Sequence, residues 1–131
     1  MPKFGNESAE QLQSCHYKIR EVLTAAIRFI DFSVLSGYRN EAQQNAKFDD
    51  NHSKVRYPYS KHNVYPSLGV DVAPWPTDWQ DRERFTYLAG IVVGIAFLKG
   101  YTLRWGGDWD QDTQVKDNDF DDLGHFELVI D

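Results

Sequence analysis

SKHNVYPSLGVDVAP, Ser60 to Pro74, opens as a polar stretch without a clear period and ends in the alternation Val70-Asp71-Val72. In a strand, neighbouring side chains take opposite faces, so Val70 and Val72 can enter a core while Asp71 projects the other way. A second alternating run, His125 to Ile130, begins within the segment DDLGHFEL, Asp121 to Leu128. There His125 and Glu127 share one face, and Phe126 and Leu128 pack on the other. Two further segments are rich in β-formers: Phe32 to Leu35, which precedes the turn Ser36-Gly37, and Tyr101 to Trp105.

Helix-start chemistry recurs three times, as a short polar residue followed three positions later by Gln: Ser8 with Gln11, Asn40 with Gln43, and Thr77 with Gln80. It predicts helices over about residues 9–30, 41–48 and 78–99, the last stopped by Gly100. Leu12, Cys15, Ile19, Val22, Leu23, Ala26, Ile27 and Ile30 form one stripe at helical spacing in the first of these. Cys15 is read as core packing, with His16 as a helix-surface residue at its border. The long segment Asp49 to Ser67 reads as a loop. The expected fold is a small single α+β domain, an antiparallel or mixed sheet with about three helices.

At 131 residues, 41% hydrophobic and 15% aromatic, the chain suits one core rather than two, and a folded rather than a disordered state. One Cys excludes an internal disulfide. A formal charge of −6 with scattered basic residues argues against nucleic acid as a partner. The apolar run Leu88 to Leu98 falls well short of the roughly 20 residues of a membrane span and reads as a buried helix, so no membrane insertion is expected. MPKFGNESAEQLQS lacks the apolar core of a secretory signal, which predicts synthesis in the cytoplasm without a signal peptide.

His62, Asp71 and His125 are the ligand-type residues of the two motif segments, and Asp122 stands three residues before the last His. Two imidazoles and one carboxylate suit a Zn²⁺ ion that keeps a fourth position open, whereas a closed structural site would draw on Cys. That pattern predicts metal-assisted hydrolysis.

Five pieces in this order, SGYRNEAQQ (Ser36 to Gln44), SKH (Ser60 to His62), GVDVAP (Gly69 to Pro74), RWGGDWD (Arg104 to Asp110) and DLGHFEL (Asp122 to Leu128), resemble the zinc peptidases of bacterial cell walls. That group includes D-alanyl-D-alanine carboxypeptidases of the VanY type and phage L-alanyl-D-glutamate endopeptidases. The resemblance implies that His62, Asp71 and His125 bind zinc, that Asp122 is the general base, and that Arg39 grips the substrate near the scissile bond. The commoner family motif sets the Asp two residues closer to the first His, and NVYPSL (Asn63 to Leu68) makes a longer excursion here. The resemblance further implies a single zinc peptidase catalytic domain of the hedgehog-like fold, without a separate wall-binding domain. Its partner would be the peptidoglycan stem peptide, met as a monomer in the wall or periplasm after release from the host.

Ser60, Trp105 and Trp109 are candidates for the substrate cleft, and Glu127 for a partner of a ligand His. Asp108, Asp110, Asp112 and Asp119 follow positions one, three, five and twelve of a Ca²⁺ loop. Thr113 replaces the usual Gly and Asp119 the usual Glu, so a solvated acidic loop is the favoured reading and a Ca²⁺ site the alternative. The expected function is a phage endolysin of the L-alanyl-D-glutamate type. A D,D- or L,D-carboxypeptidase with the same metal site is the first alternative. A binding module that keeps the zinc fold without catalysis, as in the similar hedgehog domains, is the second.

Overall fold

The apolar stripe of the N-terminal segment sits on two helices rather than one. In the computed structural model, which describes residues 2–114 and 122–130, α1 spans Asn6–Gln13 and α2 spans Tyr17–Ala26. Between them the backbone pairs with a distant segment instead of with itself. The Ser67 N–H donates to the Ser14 carbonyl at 2.8 Å, and the His16 N–H donates to the Ser67 carbonyl at 2.9 Å. An amide committed to Ser67 cannot also serve a helical ladder, so the single helix expected over 9–30 breaks here. His16, read as a helix-surface residue, caps α2 by accepting the Lys18 N–H on Nδ1 at 3.1 Å. Cys15 is fully buried and free, as expected of a core residue, and burial pushes its thiol up to about 12.

The other predicted caps divide. Asn40 and Gln43 form a complete capping box on α3 (Glu41–Asp49), each bond 2.9 Å. Ser8 caps nothing: it lies inside α1, and its hydroxyl accepts the Val34 N–H at 3.0 Å, holding the helix against the sheet. Asp78 captures the Gln80 N–H in a local turn, so α4 (Arg82–Leu98) starts later than expected and is capped by Asp81 instead of Thr77. Gly100, at φ +80°, ends it in a conformation that favours glycine. Only one side of α4 is covered: Leu88, Ala89 and Val92 are buried, while Phe97 and Leu98 are 79% and 84% exposed, so the expected buried helix is half-buried. Among the described residues, no helix is long and apolar enough to cross a membrane.

Four strands, β1 (Phe32–Ser36), β2 (Gly69–Pro74), β3 (Leu103–Gly106) and β4 (Asp122–Leu128), form one antiparallel sheet in the order β1-β2-β4-β3. With four α-helices among the described residues where about three were expected, this is the small α+β domain read from the patterning. Val70, Val72, Phe126 and Leu128 join Ile19, Leu23, Leu88 and Val92 in a single core. Alternation then turns Asp71, His125 and Glu127 away from that core. A register shift between Val34 and Ser36 brings Ser36 opposite Asp71.

Candidate metal centre

Asp71 on β2 and His125 on β4 are direct cross-strand partners, so the sheet itself sets their separation. The third residue comes from the segment Asp49 to Ser67, which is not wholly loop. Ser60 and Asn63 cap a single 3₁₀ turn, Lys61–Asn63, through a capping box, and that turn carries His62. The turn is tied down by the Arg39 N–H, which donates to the His62 carbonyl at 2.7 Å. Close approach explains Gly69: a Cβ there would meet Cε1 of His125 at 3.2 Å and Cδ2 of His62 at 3.3 Å.

The two imidazoles are oriented by what lies behind them. His62 is 2% exposed, and its Nδ1 donates to the Gly37 carbonyl oxygen at 2.6 Å. A carbonyl only accepts, so Nδ1 carries the hydrogen and the neutral ring leaves Nε2 bare. His125 is 7% exposed, and its Nε2 donates to Glu127 Oε1 at 3.0 Å. Burial alone would raise the Glu127 carboxyl, but the hydrogen bonds from His125 and Arg104 outweigh it and hold the group down at about 2. Glu127 is therefore an anion that only accepts, and Nδ1 of a neutral His125 is also bare.

Both bare nitrogens point at Asp71 Oδ1. It lies 3.2 Å from His62 Nε2 and 2.9 Å from His125 Nδ1, and the two nitrogens are 3.3 Å apart. Three lone-pair donors this close repel one another unless a cation sits among them. The group is one that a metal ion fits, and the mixed N₂O donor set suits a borderline divalent ion. Without a metal, a proton does the same work. Burial opposes the charge on His125, but the hydrogen bonds to Asp71 and Glu127 prevail, and the ring is pushed up to about 9. Burial also works against the Asp71 carboxylate; its interactions with His62 and His125 overcome it and hold the acid well below the usual carboxylate range.

A metal ion held by these three groups would have to displace the His125 proton, which is bound below about pH 9. Uptake of a divalent metal ion by the metal-free protein at pH 7 should therefore release about one proton, and affinity should rise with pH until about 9. Calorimetry in buffers of different ionisation heat measures this. Proton-neutral uptake at pH 7 would contradict the assignment.

Arg39 is 8% exposed and closes the other side of Asp71. Its Nη2 donates to Asp71 Oδ2, its Nε to Ser36 Oγ at 3.0 Å, and its Nη1 to Gln44 Oε1 at 3.3 Å. Gln44, fully buried, then anchors the loop beyond α3 through Ser53 Oγ at 2.8 Å and the Val55 carbonyl at 2.7 Å. Gln44 was not singled out from the sequence, although it stands in the Ser36 to Gln44 motif; its role depends on contacts that spacing does not reveal.

Arg39, His62, Asp71, His125 and Glu127 line one cavity of about 330 Å³, together with Ser60, Trp109 and Asp122. Asp122 is half-buried, and its carboxyl is raised first by burial and then by the charge of Asp71, against the pull of His125, His62 and Arg39. Such a group can take and return a proton. Trp105 does not reach the cavity. It is a 6%-exposed core residue whose indole N–H donates to the Leu123 carbonyl at 2.8 Å, because alternation along β3 sends Trp105 to the core side and Arg104 to the cleft.

Asp108, Asp110 and Asp112 do come together, with carboxylate oxygens within 4.8 Å of one another. They serve backbone amides: Asp108 accepts the Asp112 and Thr113 N–H groups at 3.1 and 3.0 Å, and Asp112 accepts the Gln114 N–H at 2.8 Å. Asp119 lies outside the described residues.

The chain is similar to peptidases. The L-alanyl-D-glutamate peptidase of Escherichia phage T5 is 29% identical over 136 aligned positions, covering 97% of this chain and 98% of the relative. The crystal structure of the Serratia marcescens L-Ala D-Glu endopeptidase ChiX superposes with a TM-score of 0.76 at 26% identity, covering 97% of this chain and 90% of that one. The family model for phage L-alanyl-D-glutamate peptidases matches residues 1–129. The chain belongs to the phage L-alanyl-D-glutamate peptidase family.

Proposed function

We propose that the protein is a zinc-dependent endolysin that hydrolyses the L-alanyl-D-glutamate bond of peptidoglycan stem peptides, with His62, Asp71 and His125 as zinc ligands. The observation that carries this reading is the convergence of three lone-pair atoms on one point in a cavity that also holds a raised carboxyl, Asp122. Bound there, Zn²⁺ would polarise the scissile carbonyl and acidify a water molecule.

The remaining work falls to this chain's own groups. Asp122 accepts the proton that the attacking water loses as its oxygen bonds to the alanyl carbonyl carbon. When the C–N bond breaks, Asp122 passes that proton to the departing amine of D-glutamate. The water's second hydrogen leaves the new carboxyl as it ionises and ends on the amine, so the products are a carboxylate on L-alanine and an ammonium on D-glutamate, and atoms and charge balance. Arg39 spends three of the five N–H donors of a guanidinium on Asp71, Ser36 and Gln44. That leaves two for the substrate oxygen near the scissile bond, where charge develops. Trp109, on the cavity wall, offers an aromatic face to the peptide.

Mass analysis of muropeptides released from purified cell walls tests the reading. New amino groups on D-glutamate are expected. Loss of a terminal D-alanine instead would make the protein a carboxypeptidase, and no release by the zinc-loaded protein would make it a binding module.

A further inference from the structure

Arg104 stands opposite Glu127 in the β3–β4 ladder. Its Nη2 donates to Glu127 Oε2 at 2.6 Å, while Oε1 of the same carboxylate holds His125 Nε2 at 3.0 Å. One carboxylate therefore joins a guanidinium to the imidazole of a ligand. The Arg104 guanidinium also lies over the Trp109 ring, 5.4 Å from its centroid, and the Trp109 ring lies 5.7 Å from that of His125. Arg104 Nε is buried and lacks a hydrogen-bond partner among the described residues. A buried donor left unsatisfied is unfavourable, so the placement of this side chain answers to its contacts with Glu127 and Trp109.

We propose that Arg104 is a positioning residue: with Trp109 beside it, it fixes the Glu127 carboxylate so that His125 keeps its hydrogen on Nε2 and turns Nδ1 toward Asp71 and His62. The inference rests on the reading of His62, Asp71 and His125 as a metal centre. It differs from a plain fold-stabilising ion pair in what it predicts. An ion pair half open to solvent contributes little to stability, whereas a group that orients a ligand imidazole acts on the metal.

The test uses the full-length chain, with Zn²⁺ affinity measured by chelator competition, hydrolysis of muropeptides, and thermal melting of the metal-free protein. Arg104→Met, which keeps the stem and removes the guanidinium, should weaken Zn²⁺ binding by roughly ten-fold to a hundred-fold and lower kcat with KM nearly unchanged. Melting of the metal-free protein should move little, and Arg104→Lys should restore part of the affinity. Wild-type zinc affinity in Arg104→Met overturns the proposal, and so does a loss confined to melting temperature. A rise in KM alone also overturns it, because Arg104 would then serve the substrate. If Arg104→Met does not fold, Glu127→Gln takes its place, and wild-type zinc affinity there is the overturning result. The metal-centre reading fails separately, if the wild-type protein binds no Zn²⁺ or if His125→Ala binds it unchanged.

Discussion

Replacing His125 with alanine should remove metal binding and hydrolysis together. Among the described residues, His125 supplies one of three converging ligand atoms, and its Nδ1 lies 2.9 Å from Asp71 Oδ1, closer than His62 Nε2. With the ring gone, two ligands remain, and Arg39 still draws the other Asp71 oxygen away. The loss should therefore exceed the roughly 10- to 100-fold typical of changes to groups that merely support a ligand. The fold should survive, because Phe126 and Leu128 keep β4 in the core on the opposite face. Chelator competition and muropeptide release read the two losses. Retention of Zn²⁺ at wild-type affinity would show that the centre lies elsewhere.

Asp122→Asn should separate the two properties that His125→Ala removes together. Asp122 is not one of the three converging ligands, yet it lines the same cavity and its carboxyl is raised by burial and by Asp71. An amide of equal size keeps the packing but can neither accept nor return the proton. Zinc stoichiometry and melting should stay near wild type while turnover falls about 10²-fold or more, the usual scale for an acid–base residue. Near-normal hydrolysis by the zinc-loaded variant would remove Asp122 from the mechanism. Glu127 would then be the next acid to test, although its ties to His125 and Arg104 argue for an orienting role.

Some expectations failed for one common reason: contacts between residues far apart in the chain overrode local signals. Ser8 and Gln11 have the spacing of a cap, but the Ser8 hydroxyl serves Val34. The stripe from Leu12 to Ile27 has helical period throughout, but Ser67 interrupts it at Cys15. Asn40 kept its cap because its box is closed by Gln43, three residues away. Trp105 and Trp109 look alike beside Gly106-Gly107, and strand alternation separates them only once β3 is known to include Trp105 and to exclude Trp109.

What the sequence determined by itself is the choice of side chains and the face each one takes. Alternation in Val70-Asp71-Val72 and in His125-Phe126-Glu127-Leu128 is a local property with period two, so it frees Asp71, His125 and Glu127 from the core whatever the topology. The ordered motifs likewise name His62, Asp122 and Arg39. Only the tertiary structure decided how these groups meet. The β2–β4 register puts Asp71 opposite His125, the β3–β4 register puts Arg104 opposite Glu127, and the Gly37 carbonyl fixes the His62 tautomer. Register and tautomer depend on pairing between segments tens of residues apart, and a one-residue slip of a strand would turn its members of this set, Asp71, Arg104, His125 or Glu127, to the other face.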